Sequence, residues 1–145
     1  MTVRRSRVIV GAVVVAALLA YLYDPPWIGG VTSGLRPWER DESGTVFRWT
    51  NGRASFFVPS SATTVTIPLR SGVPGPLMGE VPVEIRVDDR FLAAIVLTDA
   101  RAWVRPELPL GTRPTRRRFR RIDLHTPRAF GEGVRGVMTG VPSVR

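Results

Sequence analysis

Hydrophobic residues follow two patterns along the chain, one before residue 24 and another beyond residue 45. In the first pattern, an uncharged run from Val8 to Tyr23 follows three arginines at positions 4, 5 and 7. As a helix this run is about 24 Å long at 1.5 Å per residue, whereas a hydrocarbon core is about 30 Å thick. Tyr21, Tyr23 and Trp27 can extend the span into the membrane interface. The pattern therefore predicts a transmembrane helix.

The same pattern is also typical of a secretory signal peptide. Small residues in A-x-A spacing do not follow the run, because two tyrosines, an aspartate and two prolines stand there instead. We therefore interpret the segment as an uncleaved signal anchor, with a cleaved signal peptide and a buried helix as the alternatives. The arginines before the run stay in the cytoplasm, so both membrane-directed interpretations send residues 24–145 outside it.

In the second pattern, apolar residues alternate with polar ones, which is the period of a β-strand. VPVEIRVD (81–88) is the clearest example, and Asp88-Asp89 follows it as a tight turn. RFLAAIVLT (90–98) is apolar on both faces, as in a central strand, while TTVTIPLR (63–70), Phe119–Thr126 and Val134–Met138 supply further strands. The fold class predicted is mostly β: an antiparallel, jelly-roll-like β-sandwich preceded by one N-terminal transmembrane helix.

The two patterns divide the 145 residues, a length that suits one compact domain. We predict a cytoplasmic basic tail at 1–7 and a transmembrane signal anchor at 8–23. A membrane-proximal segment at 24–44 then leads to the β-sandwich domain at 45–145.

The segment VFRWTNGRASFFVP (46–59) contains an Asn-Gly dipeptide at 51–52 between two apolar stretches. Asn-Gly favours a two-residue hairpin turn, so the segment predicts two strands that reverse at this point. Phe47 and Trp49 then share a face opposite Arg48 and Thr50. We interpret Trp49 as a core residue and not as a ligand contact.

Trp38 and Trp103 are the better candidates for ligand contact, because charged residues flank both of them. Trp38 lies in RPWERDE, and Trp103 lies between Arg101 and Arg105. Packing against the protein is the commoner role for such residues, so ligand contact at Trp38 and Trp103 is a hypothesis.

Composition excludes several kinds of chemistry. The chain has no cysteine and one histidine, His125, and all 21 of its basic residues are arginine. Thiolate catalysis, disulfides, lysine Schiff bases and histidine metal clusters are therefore excluded. We expect no cofactor and no metal site.

Catalysis is not predicted either. Glycoside hydrolysis needs two carboxylates that face each other across a sugar, and the acidic residues at 39, 41, 42, 88 and 89 fall in predicted loops and turns. His125 has no evident serine or cysteine partner. We predict that the chain is not an enzyme.

The formal net charge is +9, and TRPTRRRFRRIDL (112–124) contains six of the arginines. In an exported domain the anions available are lipid head groups and acidic glycans, so we expect no nucleic-acid partner. Alternation along the strand sends Arg120 and Arg121 to opposite faces. The loop part is therefore the candidate anion site: Arg113, Arg116, Arg117 and Arg118. A solvated loop without a ligand is the alternative.

Several segments, in order, resemble the β-sandwich domain attached to some bacterial multi-pass membrane glycosyltransferases. They are PWERDESGTVFRWTNGRASFFVP, VPVEIRVDDRFLAAIVL, RRFRRIDLHTPRAF and VRGVM, and the resemblance covers about residues 36–140. The shared features fall on Glu39, Arg48-Trp49-Thr50, Val87–Arg90 and Gly136-Val137. The chain departs from the pattern at Asp88-Asp89, where Asp-Gly is usual, and at Arg135, where leucine is usual.

The resemblance implies a noncatalytic, carbohydrate-binding-like accessory domain. We predict an envelope protein of the bacterial inner membrane, single-pass, with its N-terminus inside and its C-terminal domain outside the cytoplasm. Its partners are expected to be the membrane, a glycan or an anionic lipid, and polysaccharide or glycosyl-transfer machinery. The alternative is a structural interaction module that docks onto a membrane protein partner and binds no sugar.

Overall fold

The computed structural model describes residues 2–72, 80–112, 116–127 and 135–145. The chain begins with helix α1, Thr2–Tyr23, whose apolar side chains from Val8 onward are exposed. The segment Val8–Gly30 has a mean hydropathy of 2.0 and is long and apolar enough to cross a membrane. Membrane anchors and signal sequences share this property.

A short connection attaches α1 to the rest of the fold. Pro25 is buried, and a 3-10 helix, Pro26–Gly30, follows it. Gly29 has no room for a side chain because the ring of Phe119 lies against it. The chain that leaves α1 is therefore packed directly on the β-structure.

The described residues form eleven strands in two sheets, and all of the strand pairs are antiparallel. The strands are β1 (Ser33–Leu35), β2 (Glu39–Arg40), β3 (Val46–Pro59), β4 (Thr64–Thr66), β5 (Leu69–Arg70), β6 (Val81–Val87), β7 (Arg90–Leu97), β8 (Glu107–Pro109), β9 (Phe119–His125), β10 (Met138–Gly140) and β11 (Ser143–Val144). The larger sheet has the order β5-β10-β3-β9-β6-β7, with β1 and β2 also paired to β3. The smaller sheet has the order β11-β4-β8.

The core lies between the two sheets. Every second residue of β6 and β9 is buried, and so is every second residue of β3 from Thr50 onward. Side chains from the larger sheet, such as Ile85 and Ile122, join one hydrophobic cluster with Val65 and Leu108 from the smaller sheet. This packing makes the fold an antiparallel β-sandwich that follows one apolar N-terminal helix, as predicted.

The prediction of a hairpin at Asn51-Gly52 was wrong, because β3 runs through both residues as one strand. A two-residue type I′ turn needs positive φ at both central residues, and among these two only Gly52 has it, at 83°. The strand continues through this position without reversing. Its first half pairs with β10 and its second half with β9. The burial of Phe47 and Trp49 agrees with the prediction, but Thr50, which was predicted to share the opposite face with Arg48, is buried as well.

The predicted turn at Asp88-Asp89 is confirmed, because it joins β6 to β7 with φ values of 49° and 66°. The prediction that RFLAAIVLT is a central strand was wrong, because β7 lies at the end of the strand order. Phe91 and Val96 are 64% and 48% exposed there. An apolar pattern on both faces did not distinguish a central strand from an apolar edge strand.

Candidate functional site

A groove of about 490 Å³ lies on the solvent-facing side of β3, β6 and β9. Alternate side chains of these strands point away from the core and line it. The polar and charged lining residues are Ser33, Arg53, Ser55, Glu84, Arg86, Asp89, Arg121, Asp123 and His125. We call this cavity the charged groove.

Strand pairing arranges these side chains in rows across the charged groove. Arg53 of β3 and Glu84 of β6 both stand opposite His125 of β9. In the next row, Ser55 and Arg86 both stand opposite Asp123. Residues that are far apart in sequence therefore form one polar surface.

Most charges of the groove are paired. Arg121 Nε donates to Asp123 Oδ2 at 2.9 Å, and the same guanidinium pairs with Asp89. The hydrogen bond with Asp123 raises the pKa of Arg121, which therefore stays charged. Arg86 pairs with Glu84 on its own strand.

Arg53 differs from these residues. Its side chain is exposed and forms no ion pair or hydrogen bond with any residue that the structure describes. The side chains of Ser33, Ser55 and His125 also have no hydrogen-bond partner within the described ranges. The groove thus offers an unpaired guanidinium, two hydroxyls and an imidazole to a ligand.

Trp38 lines a second cavity, of about 290 Å³, whose walls are mainly apolar. Its side chain is 52% exposed, and the Arg48 guanidinium lies 5.1 Å from the ring centroid. Arg48 Nε in turn donates to the carbonyl of Arg36 at 2.5 Å. The indole is therefore held by a fixed cation while much of its surface stays accessible.

Trp103 is half-buried in a different place and packs against Phe47, with ring centroids 6.2 Å apart. Its Nε1 donates to Asp41 Oδ2 at 3.4 Å. The Arg70 guanidinium lies 4.8 Å from the Trp103 ring centroid and pairs with Asp41 at 3.1 Å. Internal contacts therefore engage both the ring and the N–H of Trp103.

Asp41 joins this aromatic cluster to a loop. Ser43 Oγ donates to Asp41 Oδ1 at 2.6 Å, and the backbone N–H of Thr45 donates to the same oxygen at 2.8 Å. The Ser43 hydrogen bond, aided by Thr45, Trp103 and Arg70, outweighs desolvation and lowers the pKa of Asp41 to about 2. The carboxylate is therefore charged over the whole physiological range.

The predicted arginine site lies at the end of α1. Arg113 is outside the described residues, and Arg116, Arg117 and Arg118 are exposed. The backbone N–H of Arg118 donates to Asp24 Oδ1 at 3.0 Å. Among the described residues, no contact joins Trp38, Trp103 and Arg116–Arg118 into one site.

Arg120 has a structural role within the same run. It is buried on the core-facing side of β9, and Arg121 lies on the opposite face, as alternation along the strand predicted. Its guanidinium pairs with Asp88 at 3.1 Å and donates to the carbonyls of Leu110 and Gly111 at 2.8 and 2.9 Å. These bonds fix the β6–β7 turn to the loop after β8.

Sequence reasoning did not identify the charged groove as a site. The alternation in VPVEIRVD and RRIDL showed which residues of each strand face solvent. It did not show that β9 lies between β3 and β6, and only that order brings Arg53, His125 and Glu84 together. In the described part of the chain, no group of three or more acidic or histidine side chains is placed to hold a metal ion.

No protein-family model and no curated protein matches the sequence. Among solved structures, the chain is similar to CsCBM6-3 from Clostridium stercorarium in complex with cellobiose: 11% identity, TM-score 0.43, covering 79% of this chain and 85% of that one. It is also similar to a family 35 carbohydrate binding module from an environmental isolate: 16% identity, TM-score 0.45, covering 77% and 91%.

A third similar structure is a Paenibacillus sp. cycloisomaltooligosaccharide glucanotransferase complexed with cycloisomaltoheptaose. The identity is 12% and the TM-score 0.43, and the alignment covers 77% of this chain and 16% of that one. The strand pairing described above, and not these alignments, assigns the fold class of this chain.

Proposed function

We propose that the chain is a noncatalytic envelope protein, anchored in the bacterial inner membrane by α1, whose β-sandwich binds an acidic glycan in the charged groove. The observation that carries this proposal is the exposed guanidinium of Arg53, which has no partner among the described residues. In this role the protein serves polysaccharide or glycosyl-transfer machinery outside the cytoplasm.

The chemistry of the groove suits an acidic sugar. An arginine fork binds a carboxylate through two parallel hydrogen bonds, so Arg53 matches the carboxylate of a uronic acid. Ser33, Ser55 and His125 are placed beside it to exchange hydrogen bonds with sugar hydroxyls. A volume of about 490 Å³ falls within the range of small-ligand sites. The net charge of +9 also attracts an anionic ligand over longer distances.

The anchor is supported by α1 and its flanks. Arginines precede the run Val8–Tyr23. Tyr23 at its end and Trp27 just beyond it are exposed, at a position that suits the membrane interface. The buried Pro25 and the Gly29–Phe119 contact join the helix tightly to the sandwich. Such a connection holds the groove at a limited distance from the membrane.

A screen of the full chain in detergent against neutral and uronic-acid oligosaccharides tests this function. We expect binding to uronic-acid oligosaccharides that weakens as salt is added, because exposed charges are screened over about 8 Å at physiological ionic strength. Neutral oligosaccharides should bind more weakly. The proposal fails if no oligosaccharide of either class binds at low ionic strength.

One observation favours docking onto a membrane protein as a second candidate function. Within the described residues β7 pairs with β6 alone, so its other edge is open to a partner's strand. Phe91 and Val96 are exposed on the same strand. Copurification of a stoichiometric membrane protein that is lost in Val96→Lys but kept in Arg101→Ser would support docking. Copurification of glycan without protein would argue against it.

A further inference from the structure

The segment Arg116–Arg118 packs on the end of α1, although about 90 residues separate the two in sequence. Besides the Arg118 N–H bond to Asp24 Oδ1, Arg118 Nε lies 3.5 Å from Asp24 Oδ2. The Arg117 guanidinium lies 5.0 Å from the ring centroid of Tyr23. Arg117 and Arg118 therefore contact the last residue of the helix and the residue after it, and we call Arg116–Arg118 the arginine collar.

Neighbouring contacts fix the collar in this place. The backbone N–H of Ser60, just after β3, donates to the carbonyl of Arg118 at 2.8 Å. Phe119, the next residue, lies against Gly29 of the 3-10 helix. The collar is thus held both by the sandwich and by the chain that leaves α1.

The position of the collar relative to the bilayer follows from the length of the apolar run. From Val8 to Tyr23 the helix rises about 24 Å, less than the roughly 30 Å of a hydrocarbon core. A membrane that contains this run therefore reaches Tyr23 and the exposed Trp27. Guanidiniums beside Tyr23 and Asp24 then lie at the level of the lipid head groups.

The collar carries three exposed guanidiniums. Among the described contacts, the carboxylate of Asp24 lies close to Arg118. Arginine binds phosphate through its planar fork, and an anionic lipid surface attracts basic residues beside it. The collar thus combines position, exposed guanidiniums and the donor geometry that phosphate requires.

We propose that Arg116, Arg117 and Arg118 bind the phosphate groups of anionic phospholipid in the outer leaflet and hold the sandwich at a fixed orientation on the membrane. This inference rests on the proposed role of α1 as a membrane span. The collar does not conflict with the predicted topology. Only basic residues within about 15–20 residues of a span along the chain set its orientation, and the collar lies much farther away in sequence.

Native mass spectrometry of the full chain in detergent with phosphatidylglycerol tests the collar. Arg116→Ser/Arg117→Ser/Arg118→Ser should retain at least two-fold less phosphatidylglycerol than the wild type. Arg90→Ser/Arg101→Ser/Arg105→Ser is the matched control, because it removes the same charge from exposed positions outside the collar, and it should retain the wild-type amount. Lysine at positions 116–118 should restore retention in part, since it keeps the charge but loses the fork.

Two further measurements separate a loss of the lipid contact from a loss of the fold or of the anchor. Circular dichroism of the serine variant must match the wild type, and alkaline extraction must leave wild-type chain in the membrane fraction. If the chain is extracted, the anchor itself is disproved. If it stays in the membrane and the collar and control variants retain equal phosphatidylglycerol, the lipid contact is disproved while the anchor stands. If the collar variant loses only uronic-acid oligosaccharide binding, the collar is a glycan site and the inference is overturned.

Discussion

At the scale of single residues, aromatic side chains have two different roles in this protein. Trp49 is 6% exposed and packs edge-on against Phe47, with ring centroids 6.2 Å apart. Trp38 is 52% exposed and contacts a guanidinium. Their burial differs because Trp49 lies on the long strand β3 and packs in a cluster with Phe47 and Met138, whereas Trp38 lies just before the two-residue strand β2.

Trp49→Ala should therefore destabilise the sandwich by about 3–5 kcal/mol, as the loss of a large buried aromatic side chain does. Trp38→Ala should cost much less, because less of its surface is buried. Denaturant unfolding of both variants beside the wild type measures the difference. Equal stability of Trp49→Ala and wild type would show that the indole does not support the core.

The low pKa of Asp41 predicts that the folded protein is less stable in acid. Its pKa in the folded protein is about 2, below the ordinary value of about 3.9. Folding thus favours the charged form of Asp41. The contribution of this charge to the stability of the folded protein is complete above about pH 4 and is lost as the pH falls toward 2. Asp41→Asn should be less stable than wild type at pH 5, and the difference should shrink by pH 2. A difference that is constant over this range would contradict the assignment.

At the scale of elements, β3 determines the architecture, because it pairs with β10 before Gly52 and with β9 after it. Gly52 has φ 83°, a conformation that costs other residues about 1–2 kcal/mol. Gly52→Ala should lower the unfolding free energy by about that amount. Gly30→Ala is the control, since open space surrounds that position. Equal losses in both variants would show that β3 does not depend on glycine at this position.

The sequence pattern predicted burial better than it predicted pairing. Alternation correctly assigned the core faces of β6 and β9, including the buried Arg120. It failed at Asn51-Gly52, where the tertiary pairing of β3 overrides a local hairpin preference. It also failed for β7, because strand order is set by contacts distant in sequence. The charged groove depends on the same strand order, and for that reason no local motif revealed it.

At the scale of the whole molecule, a helix at one end carries a sandwich with a polar groove on its outer face. The arginines before Val8 predict that the sandwich lies outside the cytoplasm. A reporter that is active only outside the cytoplasm, fused after Arg145, should be active. Mass spectrometry should find a mature N-terminus at Met1 or Thr2. A start between residues 21 and 34 would replace the anchor with a cleaved signal peptide.

The most direct test of the central claim is a calorimetric titration of the full chain with a uronic-acid oligosaccharide. Arg53→Gln should weaken binding at least ten-fold, because it removes the proposed partner of the sugar carboxylate. Arg90→Gln, an exposed arginine that does not line the groove, should bind like the wild type. Equal affinity of Arg53→Gln and wild type, or an equal loss in both variants, would contradict glycan binding in the charged groove.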